Sequence, residues 1–165
     1  MHRSVTKVLF VSKENACRSL LAEACLRQLG KDKFKVFSCG VPSAIAASPC
    51  TWTLAALQTA GISTSGLKCK PWTDFASNGS TRMDFVITLD AETASEHPAW
   101  VGQPVTALWE YPSLAARKIG QNNLELEALQ TLLSLRRRIE LMVSLHARSK
   151  TRSDLRHDLR DMNHV

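Results

Sequence analysis

The 165-residue chain has no apolar run approaching the roughly 18 residues that a membrane-crossing helix requires, so a membrane protein is not expected. It has no low-complexity tract, no internal repeat and no linker-like stretch, which excludes a string of modules and leaves one globular domain. It shows no secretion signal: Met1-His2-Arg3-Ser4 leads straight into a strand-like segment, and the expectation is a cytoplasmic protein. The five cysteines, Cys17, Cys25, Cys39, Cys50 and Cys69, are odd in number and irregularly spaced, so they do not read as a disulfide framework. No pair of them has zinc-ligand spacing and no histidine cluster accompanies them, so neither a metal nor another cofactor is expected.

What is present is an uneven charge and a clear alternation of elements. The net charge is +6, and eight of the basic residues against four acids fall between Arg136 and Val165. No aromatic is interleaved with those charges, which argues against nucleic acid as the partner. The reading is a domain over 1–148 and a polar, basic tail over 149–165 that offers a surface to a protein partner. With 44% apolar residues, a chain of this length can bury a core without staples.

Val8-Leu9-Phe10-Val11 is a short continuous apolar run, as in a strand buried on both faces. Leu20, Leu21, Ala24, Cys25 and Leu29 then recur at helical spacing up to Gly30. Phe34 to Cys39 reads as a second strand. Ser48-Pro49 reads as an N-cap and first helical residue, opening a helix that stops at Gly61. Met83 to Leu89 is a third strand, Ala91 to Glu96 a short helix, and Pro104 to Trp109 a fourth strand. A turn-rich loop covers Glu110 to Asn123, and a last helix repeats apolar residues from Leu124 to Val143, with a loose chain beyond His146. Strands alternating with helices imply a three-layer α/β fold, a four-stranded parallel sheet flanked by helices. In such folds the ligand lies past the carboxyl ends of the strands, which is where Ser12 to Ser19 falls.

A loop between a strand and a helix N-terminus can aim several backbone N–H groups at one point, and the helix dipole adds positive character there. Arg18 opens the helix and can fork onto two oxygens of an anion. Asn15 and Ser19 can brace the loop, and Ser12 sits at its base. The backbones of Lys13, Glu14, Asn15, Ala16, Cys17 and Arg18 would serve the anion. The side chains of Lys13 and Glu14 would point outward, where they can set partner preference.

The segment Ser12-Lys13-Glu14-Asn15-Ala16-Cys17-Arg18-Ser19 resembles the cysteine-x5-arginine-serine loop of the low-molecular-weight protein tyrosine phosphatases and the related thiol-dependent arsenate reductases. Ala22-Glu23-Ala24, Ser38-Cys39-Gly40, Gly61-Ile62 with Gly66-Leu67, Asp84 to Thr88 and Trp100 to Gln103 extend the resemblance over residues 6 to 146. It implies a phosphotyrosine protein phosphatase I-like fold and a phosphate, arsenate or phosphotyrosine-like ligand. Carried over by position, Ser12 is the nucleophile site, Arg18 the anion clamp, Asn15 and Ser19 the loop braces, and Ser113 the general-acid site.

The sequence departs from that pattern in three places. Ser12 stands where the family has its cysteine, and a hydroxyl stays protonated near pH 7 with no base in sight. Ser113-Leu114 stands where the family has Asp-Pro, with Glu110 as a nearby carboxylate. Thr88 to Glu92 contains no cysteine for a thiol relay. Little or no turnover is therefore expected of this chain. Two readings stay open: an enzyme of the family with its nucleophile replaced, and a natural non-catalytic pseudophosphatase that binds phosphate or phosphotyrosine. A plain structural or partner-binding domain is a third, for which only the basic tail argues.

The remaining singular residues carry narrower expectations. Cys17 reads as a partly buried thiol, and Cys25, Cys39 and Cys50 as core residues. Lys68 and Lys70 would lower the pKa of Cys69, which reads as an incidental surface cysteine or, as the alternative, the most reactive thiol. Trp72, Trp100 and Trp109 would fill the core, Trp52 would line the cleft, and Tyr111 would either wall the pocket or pack in its loop.

Overall fold

The computed structural model describes residues 5–77, 79–113, 123–148 and Met162. Four parallel strands, β1 (Thr6–Val11), β2 (Phe34–Cys39), β3 (Phe85–Thr88) and β4 (Val105–Leu108), form one sheet in the order β2-β1-β3-β4. Val8 lies opposite Val36 on one side and Phe85 on the other, so β1 is hydrogen-bonded along both edges. This explains its composition: Val8, Leu9, Phe10 and Val11 all have zero exposure because both faces of a central parallel strand are covered.

Successive side chains of a strand point to opposite faces, and the core divides accordingly. Val8 and Phe10 join the larger core with α1 (Arg18–Gly30), α2 (Thr51–Thr59) and α5 (Leu124–Arg148). Helix α5 touches both α1 and α2, burying Ala128, Leu132, Leu135, Ile139 and Met142 along one stripe. Leu9 and Val11 join a smaller core with Met83, Val86 and Trp100, flanked by Trp72 and Phe75. Phe75 comes from the four-residue helix α3 (Thr73–Ala76), an element too short to have a periodic signature in the sequence. Helix α4 (Ala91–Glu96) follows β3 directly. Among the described residues no helix is long and apolar enough to cross a membrane.

The expected order of elements is found, with three differences. Helix α2 does not start on the Ser48-Pro49 signal: Cys50 is its N-cap, in an extended conformation and with no side-chain cap. Tertiary bonds set the start, since the Cys50 N–H and the Thr53 Oγ1 both donate to the carbonyl of Ala16 (3.1 and 2.8 Å). Helix α5 continues to Arg148 instead of loosening after His146, because the His146 ring is buried, 2.9 Å from Thr6 Oγ1 and tilted against the Phe34 ring with centroids 4.5 Å apart. Met162 is packed in the larger core; the rest of 149–165, and the loop residues 114–122 with Leu114, lie outside the described residues.

Candidate functional site

The loop from Ser12 to Cys17 leaves the carboxyl end of β1 and enters α1. Three of its carbonyls are satisfied by N–H groups from outside the loop. Lys13 O accepts from Val41 N–H (2.9 Å), Glu14 O from Ala46 N–H (3.1 Å), and Ala16 O from Cys50 N–H (3.1 Å). A trans peptide holds its C=O and the next N–H antiparallel, so the N–H groups of Glu14, Asn15 and Cys17 are directed to the inside of the loop. No side chain caps α1 and its first turn contains no acid, so the positive end of a 13-residue helix faces the same point. The curvature needs a left-handed residue, and Asn15 provides it at φ 52°. It also needs room: a Cβ at Gly40 would lie 2.9 Å from the carbonyl oxygens of both Ser12 and Lys13.

The interior of the loop is a polar network. Ser12, 2% exposed, donates its hydroxyl to Ser19 Oγ (2.6 Å). Asn15 Nδ2 donates to Ser19 Oγ (2.7 Å) and to Ser38 Oγ (3.0 Å), and Asn15 Oδ1 accepts from Lys70 N–H (2.8 Å). Ser38 in turn donates to the buried carboxylate of Glu23, which pairs with Arg27 and lies 3.7 Å from Lys70 Nζ. Asn15 and Ser19 thus hydrogen-bond within the loop, with Ser38, Lys70 and Glu23 behind them.

Arg18 is 6% exposed and held at two points. Its Nη1 donates to the carbonyl of Tyr111 (2.9 Å), and its Nη2 lies 3.6 Å from Asp90 Oδ2. Asp90 is a site residue that sequence reasoning missed. It caps α4 through Thr93 N–H (2.8 Å) and accepts from Lys13 N–H (3.2 Å), so one carboxylate engages both Lys13 and Arg18 of the 12–19 loop. The available signal was its position, at the carboxyl end of the strand adjacent to β1.

Two spaces meet here. A cleft of about 540 Å³ is lined by Lys13, Arg18, Asp90, Glu110, Tyr111 and Ser113 among others. A narrow space beneath it is lined by Ser12, Cys17, Arg18, Cys50, Trp52 and Ser113. The structure therefore brings Ser113 to the same place as Ser12 and Arg18, and it puts Trp52 at the cleft. Tyr111 both packs and walls: it is buried, its ring lies under the Arg138 guanidinium (5.4 Å), and its hydroxyl is 3.2 Å from Ser134 Oγ. Trp100 and Trp109 are buried as expected, and Trp72 is half-buried against the smaller core. Among the described residues no group of three or more His, Cys, Asp or Glu is arranged to hold a metal ion.

Burial raises the pKa of every cysteine. For Cys17 it outweighs the Thr53 hydroxyl and the Arg18 charge, and for Cys39 it outweighs the Lys70 charge. Cys69 is raised by burial, with Lys70 lowering it only in part, which corrects the expectation of a reactive thiol. The reason is where the lysine goes: Lys70 Nζ donates to Lys68 O (2.6 Å) and leans toward Glu23. Cys25 and Cys50 are pushed from 9.0 up to about 11. Their folded-state pKa lies above the unfolded value, so this contribution to stability is complete below pH 9 and is lost as pH rises through about 11. The urea midpoint is accordingly expected to hold steady up to about pH 9 and then fall, and to fall less in Cys25→Ala measured over the same range.

Comparison with known proteins fits this geometry. The sequence model of the low molecular weight phosphotyrosine protein phosphatase family matches residues 7–126. A glutaredoxin arsenate reductase of Synechocystis is 35% identical over 104 residues, covering 63% of this chain and 75% of that protein. The structure of an arsenate reductase in the phosphate binding state superposes with a TM-score of 0.67 at 27% identity, covering 85% of this chain and 98% of the other. Vibrio vulnificus Wzb in complex with benzylphosphonate shares the fold at 14% identity, with a TM-score of 0.66 over 86% of this chain and 99% of that one. The phosphatase I-like parallel α/β fold expected from sequence is the fold observed.

Proposed function

Because the chain belongs to the low molecular weight phosphotyrosine protein phosphatase family, we propose that its 12–19 loop binds a phosphate-like oxyanion and that the chain as it stands turns over little or none of it. The observation that carries this reading is the setting of Ser12. Its hydroxyl sits at the base of an inward-facing ring of amides, and its hydrogen-bond partner is another hydroxyl, Ser19. The hydrogen-bonded chain from Ser12 to a carboxylate runs through Ser19, Asn15 and Ser38 to Glu23, but both protons of the Asn15 amide are already donated, and an amide relays none. Ser12 has a cup built to stabilise negative charge and, among the described residues, no base hydrogen-bonded to its hydroxyl. A thiol in that place would ionise under the dipole, the amides and Arg18; an alcohol does not. Each tenfold loss of rate is about 1.4 kcal/mol of barrier, so the exchange of thiolate for alcohol removes most of the turnover by itself.

Ser113 argues in the same direction. It lines the cleft where the family's proton donor belongs, and a serine hydroxyl is too weak an acid to protonate a leaving oxygen. Two independent losses favour a natural phosphate- or phosphotyrosine-binding pseudophosphatase over an enzyme altered at one position. The similarity to arsenate reductases supports arsenate as a second candidate anion, bound without reduction, since Thr88 to Glu92 supplies no relay thiol.

The test is binding and hydrolysis side by side. The chain is expected to bind inorganic phosphate, read by calorimetry, and to leave an activated aryl phosphate intact. Ser12→Cys is expected to hydrolyse that aryl phosphate slowly, because its leaving group departs without a proton; an alkyl phosphate is expected to need Ser113→Asp as well. Hydrolysis by the chain itself that Ser12→Ala removes would overturn the non-catalytic reading, and absence of phosphate and arsenate binding would overturn the anion cup.

Asp90 gives a prediction of opposite sign to a simple loss. Asp90→Asn keeps the α4 cap, since asparagine caps as well as aspartate, but removes the negative charge beside the cup. Phosphate is expected to bind about fivefold more tightly, as a charge a few ångströms away contributes about 1 kcal/mol near water. Calorimetric titration of both forms at equal ionic strength measures it.

A further inference from the structure

We propose that the cleft over Arg18 is selective for a phosphoryl group that carries a cationic neighbour, as in a phosphorylated peptide segment with arginine or lysine beside the phosphorylated residue. The inference rests on the anion-cup reading and concerns what surrounds the cup.

The cleft walls carry four carboxylates, Glu14, Asp90, Glu92 and Glu110, and two cations, Lys13 and Arg18. Among the described residues, four acids against two bases leave the lining of the cleft at −2, in a chain whose net charge is +6. Both cations are already paired with acids of the same cleft: Lys13 Nζ lies 3.5 Å from Glu92, and Arg18 Nη2 lies 3.6 Å from Asp90. Glu14 and Glu110 form no ion pair with another described residue. The surplus charge therefore belongs to those two side chains, which face the space that a ligand's flanking groups would fill.

An anion at the cup meets favourable amides and Arg18, then an unfavourable rim. A bare phosphate dianion has nothing to offset that rim. A ligand with a guanidinium or ammonium group a few ångströms from its phosphoryl group satisfies both parts at once, and one with flanking carboxylates is repelled. The volume supports a ligand larger than phosphate: about 540 Å³ is of the size that holds a side chain with its neighbours, whereas the space at Ser12 is far smaller. Lys13 and Glu14 thus divide the loop's work, the backbone addressing the anion and the side chains addressing what is attached to it.

The experiment uses the full chain and three phosphotyrosine peptides of equal length, flanked by arginine, alanine or glutamate, with inorganic phosphate and the unphosphorylated arginine peptide as references. The arginine-flanked phosphopeptide is expected to bind about tenfold more tightly than the alanine one, and the glutamate-flanked one more weakly, with the spread shrinking as salt is raised. In Glu14→Gln/Glu110→Gln the spread among the three phosphopeptides is expected to collapse. Equal affinities for the three phosphopeptides, with inorganic phosphate still bound, would overturn the selectivity and leave the cup standing. A preference that survives the double substitution, or an unphosphorylated arginine peptide that binds as well as its phosphorylated form, would also overturn it. If inorganic phosphate and all peptides fail to bind, it is the anion-cup reading that falls.

Discussion

Arg18→Ala is expected to reduce phosphate affinity by on the order of a hundredfold, about 3 kcal/mol. Two effects add. The substitution removes the side chain placed to fork onto the anion, and it leaves the Asp90 carboxylate, 3.6 Å away, with no cation to offset it beside the cup. The second effect is why the loss should exceed that of an ordinary charged hydrogen bond. Arg18→Lys keeps the charge but not the fork, and it cannot reach both Tyr111 O and Asp90 in the same way, so partial recovery is expected. Titration of phosphate into the three forms, with thermal unfolding to confirm that each is folded, decides the matter; unchanged affinity in Arg18→Ala would remove the anion cup from consideration. Combining Arg18→Ala with Asp90→Asn should restore part of the loss, because the uncompensated carboxylate is gone.

The second large effect is on stability. Trp109, at the end of β4, is 1% exposed, packs at 6.1 Å from Phe10, and lies 5.6 Å beneath the Arg138 guanidinium. Truncating a buried tryptophan leaves a cavity, and Trp109→Ala is expected to cost about 3–5 kcal/mol, a fall of roughly 10 °C or more in melting temperature. The loss should reach the site. Arg138 also covers Tyr111, whose carbonyl holds Arg18 and whose N–H is bonded to Leu89 O (2.9 Å). Below its melting point the variant should therefore also bind phosphate more weakly, whereas Trp109→Phe, which refills much of the space, should recover both properties. A calorimetric scan and a phosphate titration on the same samples test the coupling. If stability falls and phosphate affinity does not, Trp109 supports the core without positioning Arg18.

The strands were legible because a parallel sheet covered on both faces forces continuous apolar runs, and Val8 to Val11 and Phe85 to Thr88 are such runs. The long helix was legible through its stripe of buried residues. The start of α2 was not, because Ser48 and Pro49 form a sound local signal that loses to bonds from Cys50 and Thr53 onto a loop more than thirty residues away in sequence. Helix α3 was too short to repeat anything. The rise in the Cys69 pKa was misjudged for a related reason: the flanking lysines were counted as neighbours, but Lys70 turns toward Lys68 O and Glu23, and burial decides.

Residue type and spacing alone were enough for the order of elements, for a polar strand-to-helix loop with Arg18 after the first strand, and for the serines at positions 12 and 113 on which the proposed loss of turnover rests. These are properties of residue type and spacing, and a chain carries them before it folds. The tertiary structure alone decided how that loop is held and what surrounds it. Three loop carbonyls are fixed by Val41, Ala46 and Cys50, and Asn15 separates Ser12 from Glu23 as an amide that passes no proton. Asp90, seventy-eight positions after Ser12, reaches across from the neighbouring strand to Lys13 and Arg18. Electrostatics and hydrogen bonding act over a few ångströms of space, whatever the separation along the chain, and only the folded chain sets which charges share that distance.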